Sequence, residues 1–143
     1  MITLDDIKSQ WAEDSKIDAD LLDEESLKIP QLHSKYLKYL SDVRLLKLKK
    51  EHEYKSLLRD KFEYYTGKAE PEVYVQKPFD HKVLKNDLDK YLDADDELIK
   101  SLSKLDYYQT MLSYLDSILK TILNRTYQIK NAIEFMRFTA GYD

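Results

Sequence analysis

Apolar residues recur along this chain at alternating spacings of three and four, the signature of helices that bury one face. The clearest run is Tyr108, Leu112, Leu115, Leu119, Ile122, Thr126, Ile129, Ile133 and Met136. Eight of those nine positions are apolar or tyrosine. A seam of nearly four heptads predicts packing against another helix. Met111, Ile118, Leu123, Phe135 and Phe138 flank it, so this helix is apolar over more than one stripe and can serve an intramolecular core, a neighbouring subunit, or both. A second seam, Leu32, Tyr36, Tyr39, Val43 and Leu46, weakens across Lys47 to Lys55 and partly recovers at Leu57, Leu58 and Phe62.

The ends of these runs carry matching punctuation. Thr3 is a predicted N-cap, with Asp5 and Asp6 in the first turn, where the helix dipole favours acids. Leu4, Ile7 and Trp11 then form a short amphipathic helix, broken near residues 15–18. A second short helix is expected from Asp18 or Asp20 to about Lys28. Pro30 suits the first turn of a long helix running to Thr66, with Gly67 as its C-cap. At 1.5 Å per residue that helix is roughly 55 Å long. Residues 68–82 contain Pro71 and Pro78 and form the linker, with Val73-Tyr74-Val75 as a short extended piece. A short helix over about His81 to Tyr91 follows, and Asp93 is the expected cap of a long helix reaching Thr139 before Gly141.

The expected architecture is therefore all-α. Two long helices are joined by one Pro-containing linker and preceded by short N-terminal helices, with the C-terminal helix able to serve oligomerisation as well as its own core. Within a single helical domain, 1–143, residues 1–29 are the acidic N-terminal helices and 30–67 the long basic helix. Residues 68–82 are the linker, and 83–140 the C-terminal helices, the candidate oligomerisation region. If a neighbouring subunit shares this seam, the assembly positions are Leu112, Leu115, Leu119, Ile122, Ile129, Ile133, Met136 and Phe138.

Composition supports this picture. Of 143 residues only two are glycine and three proline, which suits long helices better than a turn-rich sheet. There is no cysteine, which excludes disulfides and thiolate metal sites. No apolar stretch is long enough to span a membrane, and the first six residues have no signal-peptide character. A reducing, soluble compartment is expected.

Charge is segregated. The formal net of −4 hides local values of −7 over residues 1–27, +5 over 35–61 and +3 over 117–138. Fields act within about 8 Å at physiological salt, so an acidic total is compatible with a nucleic-acid partner.

No catalytic set is present. Two glycines, Gly67 and Gly141, cannot build a Walker A loop, a G-x-G-x-x-G turn or a nucleophile elbow. His33, His52 and His81 lack metal-ligand spacing. The acidic knot of Asp93, Asp95, Asp96 and Glu97 lacks the length and turn glycine of a Ca²⁺ loop, and a helix N-terminus explains it better. Glu72 and Lys77 lack the partner acid a nuclease needs. We expect neither enzymatic activity, metal nor cofactor.

The informative patch is Lys55, Arg59 and Lys61, followed by Tyr64, Tyr65, Gly67 and Lys68. Cations neutralise phosphates, and tyrosine rings stack on bases without reading sequence. From composition alone a solvated helix face with core tyrosines is the preferred reading. For Tyr64 and Tyr65 the residues leave both base stacking and packing of the helix end open.

The chain resembles the UvsY-type recombination mediators of T4-like bacteriophages over nearly its whole length. The likeness lies in Leu4-Asp5-Asp6-Ile7 with Ile17-Asp18, in Ser34-Lys35-Tyr36-Leu37, and above all in residues 58–67, Leu-Arg-Asp-Lys-Phe-Glu-Tyr-Tyr-Thr-Gly. It continues through Ile129-Lys130 and Met136-Arg137-Phe138 to Ala140-Gly141. Pro30 departs from the family pattern. The resemblance implies a protein that binds single-stranded DNA and forms a homo-oligomeric ring, a hexamer or heptamer. Such a protein contacts a recombinase and a single-strand-binding protein and loads the recombinase onto DNA in the cytoplasm of the infected bacterial host. The two DNA-contacting basic positions of the family fall on Arg59 and Lys61, with lysine and arginine exchanged in order and Asp60 between them. Lys55, Lys68, Tyr64 and Tyr65 are secondary expectations at the same site. The alternative is an all-helical scaffold that binds only protein.

Overall fold

The computed structural model describes residues 1–141. Their elements are α1 (Leu4–Asp14), α2 (Leu22–Leu27), α3 (Ile29–Tyr65), α4 (Pro71–Gln76), α5 (Leu88–Asp93) and α6 (Asp96–Thr139). No strand occurs among the described residues. The all-α expectation, with two long helices, short N-terminal helices and a linker containing proline, is what the chain adopts.

The helix ends obey local chemistry. Thr3 caps α1 through a reciprocal box. Its Oγ1 accepts from the Asp6 N–H at 3.1 Å, and Asp6 Oδ2 accepts from the Thr3 N–H at 2.9 Å. Pro30 lies in the first turn of α3, where its missing N–H costs nothing. At the other end of α3, Gly67 takes φ +76°. The Lys68 N–H reaches Glu63 O at 2.8 Å and the Gly67 N–H reaches Tyr64 O at 3.3 Å, the two bonds of a Schellman stop.

Three boundary expectations are corrected. Residues Val73-Tyr74-Val75 lie inside α4 and are not extended. Pro71 starts that helix, and Tyr74 Oη anchors it by donating to Tyr64 O at 2.8 Å. The helix expected from His81 is confined to α5. Asp93 does not cap α6. Asp95 does, its Oδ1 accepting from the Leu98 N–H at 3.0 Å.

The fold comprises two compact units, with α3 and α6 contributing to both. The first contains Met1–Arg44 and the chain from Thr110 onward. Its core is Ile7, Tyr36, Leu40, Val43, Met111, Leu115, Ile118, Leu119, Ile122 and Ile129. Trp11 meets Tyr36 edge-on at 5.5 Å. Asp14 accepts from Tyr36 Oη at 2.7 Å and from Lys35 Nζ at 2.7 Å. Arg125, only 2% exposed, donates to the Asp14 carbonyl, approaches Glu25 at 4.0 Å and sits 5.7 Å from the centre of the Trp11 ring. One guanidinium thereby ties α1, at Trp11 and Asp14, and α2 to α6.

The second unit spans Leu45–Gln109. Leu98 and Tyr108 are its buried apolar residues, and its end of α3 carries an aromatic cluster. Tyr64 stacks on Tyr74 with ring centres 5.4 Å apart, and Phe79 packs against Tyr64, Tyr65 and Tyr91.

Candidate nucleic-acid interface

The expected DNA-contacting residues fall within the second unit, on or just beyond the last three turns of α3. Helix geometry separates them. Arg59 and Lys61 are two residues apart and so project in nearly opposite directions. Lys55 and Arg59, four apart, share a face. Both are exposed. Arg59 has 69% of its side chain in solvent and, among the described residues, pairs only with its neighbour Asp60, at 3.3 Å. Lys55 has no carboxylate within ion-pair distance among the described residues. Lys68 is exposed just past the Schellman stop.

Lys61 is held differently. Its side chain is 12% exposed, with Nζ 3.3 Å from Asp95 Oδ2 and 3.2 Å from Glu97 Oε1. Lys77 shares the same Glu97 oxygen at 2.9 Å. Lys61 lines a groove of about 520 Å³ together with Tyr64, Val73, Lys77 and Glu97. Burial raises the Asp95 carboxyl, but bonds from Tyr65, the Leu98 N–H and Lys61 outweigh it and hold the group below its usual 3.8. The bond from Lys77, then that from Lys61, likewise holds Glu97 below 4.5.

Tyr64 and Tyr65 face this inner side. Tyr65 Oη donates to Asp95 Oδ2 at 2.6 Å. Burial, then that bond, raises the phenol well above its ordinary value. Tyr64 Oη donates to Lys77 O at 3.0 Å, and its ring is occupied by Tyr65, Tyr74 and Phe79. The two tyrosines pack the helix end.

The assembly positions also divide. Leu115, Leu119, Ile122 and Ile129 are buried within their own chain, and Leu112 is half-buried. The front of the seam is thus an intramolecular core, because the N-terminal helices and the start of α3 cover it. Ile133, Met136 and Phe138 remain exposed, with Phe135 beside them and Phe138 78% in solvent.

The model for the family described as recombination, repair and ssDNA binding protein UvsY matches residues 10–142. The chain belongs to the UvsY family. It is similar to recombination protein uvsY of Enterobacteria phage T4, with 25% identity over 138 residues, covering 96% of this chain and 98% of that one. A crystal structure of the bacteriophage T4 recombination mediator protein UvsY superposes at a TM-score of 0.87 with 25% identity, covering 99% of this chain and 100% of that one. A second crystal form of the T4 protein gives 0.84 with 24% identity, covering 94% and 98%. UvsY proteins are a recombination and single-stranded-DNA-binding family, not a family of known enzymes. Among the described residues no side-chain cluster could hold a metal ion, and no helix is long and apolar enough to cross a membrane.

Sequence reasoning missed two features of this candidate site in the UvsY-family chain. One is the Asp95–Glu97 clasp on Lys61, which joins residues more than thirty positions apart and leaves no periodic signal. The other is Phe62, grouped above with the apolar seam but 42% exposed on the Arg59 face.

Proposed function

We propose that this UvsY-family chain is a recombination mediator. It binds single-stranded DNA as a homo-oligomer, a hexamer or heptamer. It promotes loading of a phage recombinase onto DNA covered by single-strand-binding protein, in the cytoplasm of the infected host. The carrying observation is the exposed Lys55–Arg59 face of α3, at a position where family resemblance puts DNA contacts and where no buried acid competes for the cations. Lys68 extends the patch. Lys61 serves it indirectly, by clasping the start of α6 to α3 and so fixing the helix end that presents Arg59.

One copy offers only a few phosphate contacts. Repetition around an oligomer multiplies them through effective concentration, without any new contact. The exposed Ile133, Met136 and Phe138 supply an apolar surface for that assembly. The acidic segment 1–27, at a net of −7, is suited to a basic surface on a protein partner.

Fluorescence anisotropy of labelled oligo-dT across a salt series, with a duplex control, tests DNA binding. Recombinase filament formation on strand pre-coated with single-strand-binding protein tests loading. Salt-sensitive preference for the single strand, and faster filament formation when this protein is present, are the expected results. Folded, assembled protein that ignores oligo-dT at low salt would leave the protein-only scaffold.

A further inference from the structure

We propose that Phe62 is the base-stacking side chain of this site, forming with Lys55 and Arg59 a phosphate-and-base platform on one face of α3. The proposal rests on the DNA-binding reading above.

Lys55, Arg59 and Phe62 follow one another at spacings of four and three, so their side chains line one helical face. Seven residues of rise make the platform roughly 10 Å long. Phe62 is 42% exposed, and its ring has no aromatic partner among the described residues. The neighbouring tyrosines are unavailable. Tyr64 is sandwiched among rings, and Tyr65 is bonded to Asp95. Phe62 is therefore an aromatic face open to solvent beside two exposed cations, Lys55 and Arg59, the latter paired only with the exposed Asp60 among the described residues.

The chemistry of that combination selects a polyanion carrying flat rings. Lys55 and Arg59 can each neutralise a phosphate of an extended strand. A phenyl ring offers a π-face to any base, with no hydroxyl to discriminate between them. Paired bases in a duplex keep their faces stacked on each other, so the platform favours single strands. A second copy of the chain would meet the same apolar ring but would have to bury two cations beside it, which is costly without matching acids.

The test uses full-length protein and labelled oligo-dT in a salt series. Phe62→Ala is expected to weaken binding by roughly 5- to 100-fold. The slope of log affinity against log salt should stay at the wild-type value, because no phosphate contact is removed. Phe62→Leu keeps apolar bulk without a π-face and should lose as much. Phe62→Trp should recover affinity and show quenching by oligo-dT beyond any change of Trp11 in the wild type. Arg59→Ala, measured alongside, should lose affinity with a shallower slope. Wild-type affinity in Phe62→Ala or Phe62→Leu overturns the platform while leaving the Arg59 site standing. A change of oligomeric mass in Phe62→Ala, read by light scattering, also overturns it and assigns the ring to an interface between copies. Failure of wild-type protein to bind oligo-dT overturns the mediator reading itself.

Discussion

Lys61 Nζ lies 3.3 Å from Asp95 Oδ2, and the same carboxyl oxygen accepts from Tyr65 Oη at 2.6 Å. A cation, a phenol and a helix-capping carboxylate are thus joined in one cluster between α3 and the first turn of α6. The clasp explains how two basic residues so close in sequence come to lie in different surroundings. Removing Lys61 leaves the buried Asp95 without its cation, while Glu97 keeps Lys77. Lys61→Met is expected to lower stability by about 2 kcal/mol, read from urea denaturation. Its effect on DNA affinity should come without a change in salt slope, whereas Arg59→Ala should reduce the slope by about 0.7. Equal slope losses in both variants would mean that Lys61 also neutralises a phosphate.

The same cluster sets an acid limit. Asp95 and Glu97 titrate below their usual 3.8 and 4.5 in the folded chain. For carboxyls depressed on folding, the stabilisation is fully present above the unfolded values and is lost as pH falls through the folded ones. The urea midpoint should hold steady at neutral pH and decline once pH drops below about 4.5. Asp95→Asn should lower the plateau and flatten the decline.

Arg125 clamps three points of the N-terminal region and is almost wholly buried. Arg125→Ala leaves the buried Glu25 with Lys28 as its cation and the Asp14 carbonyl without the guanidinium donor. A loss of about 3–5 kcal/mol is expected. Limited proteolysis should then cut residues 15–28 faster than in the wild type.

The two halves of the α6 seam should respond differently. Ile122→Ala opens the protomer core and should cost about 2–5 kcal/mol of folding stability. Phe135→Ser with Phe138→Ser touches exposed rings, so circular dichroism should change little while light scattering reports a smaller oligomer. Unchanged mass in the double variant would move the assembly surface elsewhere.

Gly67 stops α3 at φ +76°, with open space where a Cβ would stand. Gly67→Ala therefore meets no clash, only the cost of a left-handed backbone for an L-residue. About 1 kcal/mol of destabilisation is expected from thermal melts.

Much of this protein was legible in sequence because its determinants are local. Periodicity showed α3 and α6, Thr3 and Gly67 marked where helices begin and end, and segregated charge marked the basic stretch of α3. Each depends on residues within a turn or two of one another. The Val73–Val75 segment was misjudged because β-branched composition is a weak preference, overridden by Pro71 at a helix start and by Tyr74 anchored to Tyr64. Asp93 is the expected cap of α6 in the sequence, but Asp95 caps it, held in place by bonds from Tyr65 and Lys61 that no local pattern announces. Only tertiary structure could decide which face of each helix meets solvent. A seam reads the same whether its partner is the same chain or another, so Leu115 and Phe138 look alike until the N-terminal helices cover one and not the other. Likewise, Lys61 and Arg59 carry the same charge in sequence. Distant acids brought close by folding occupy the first and leave the second, with Phe62 beside it, to the solvent.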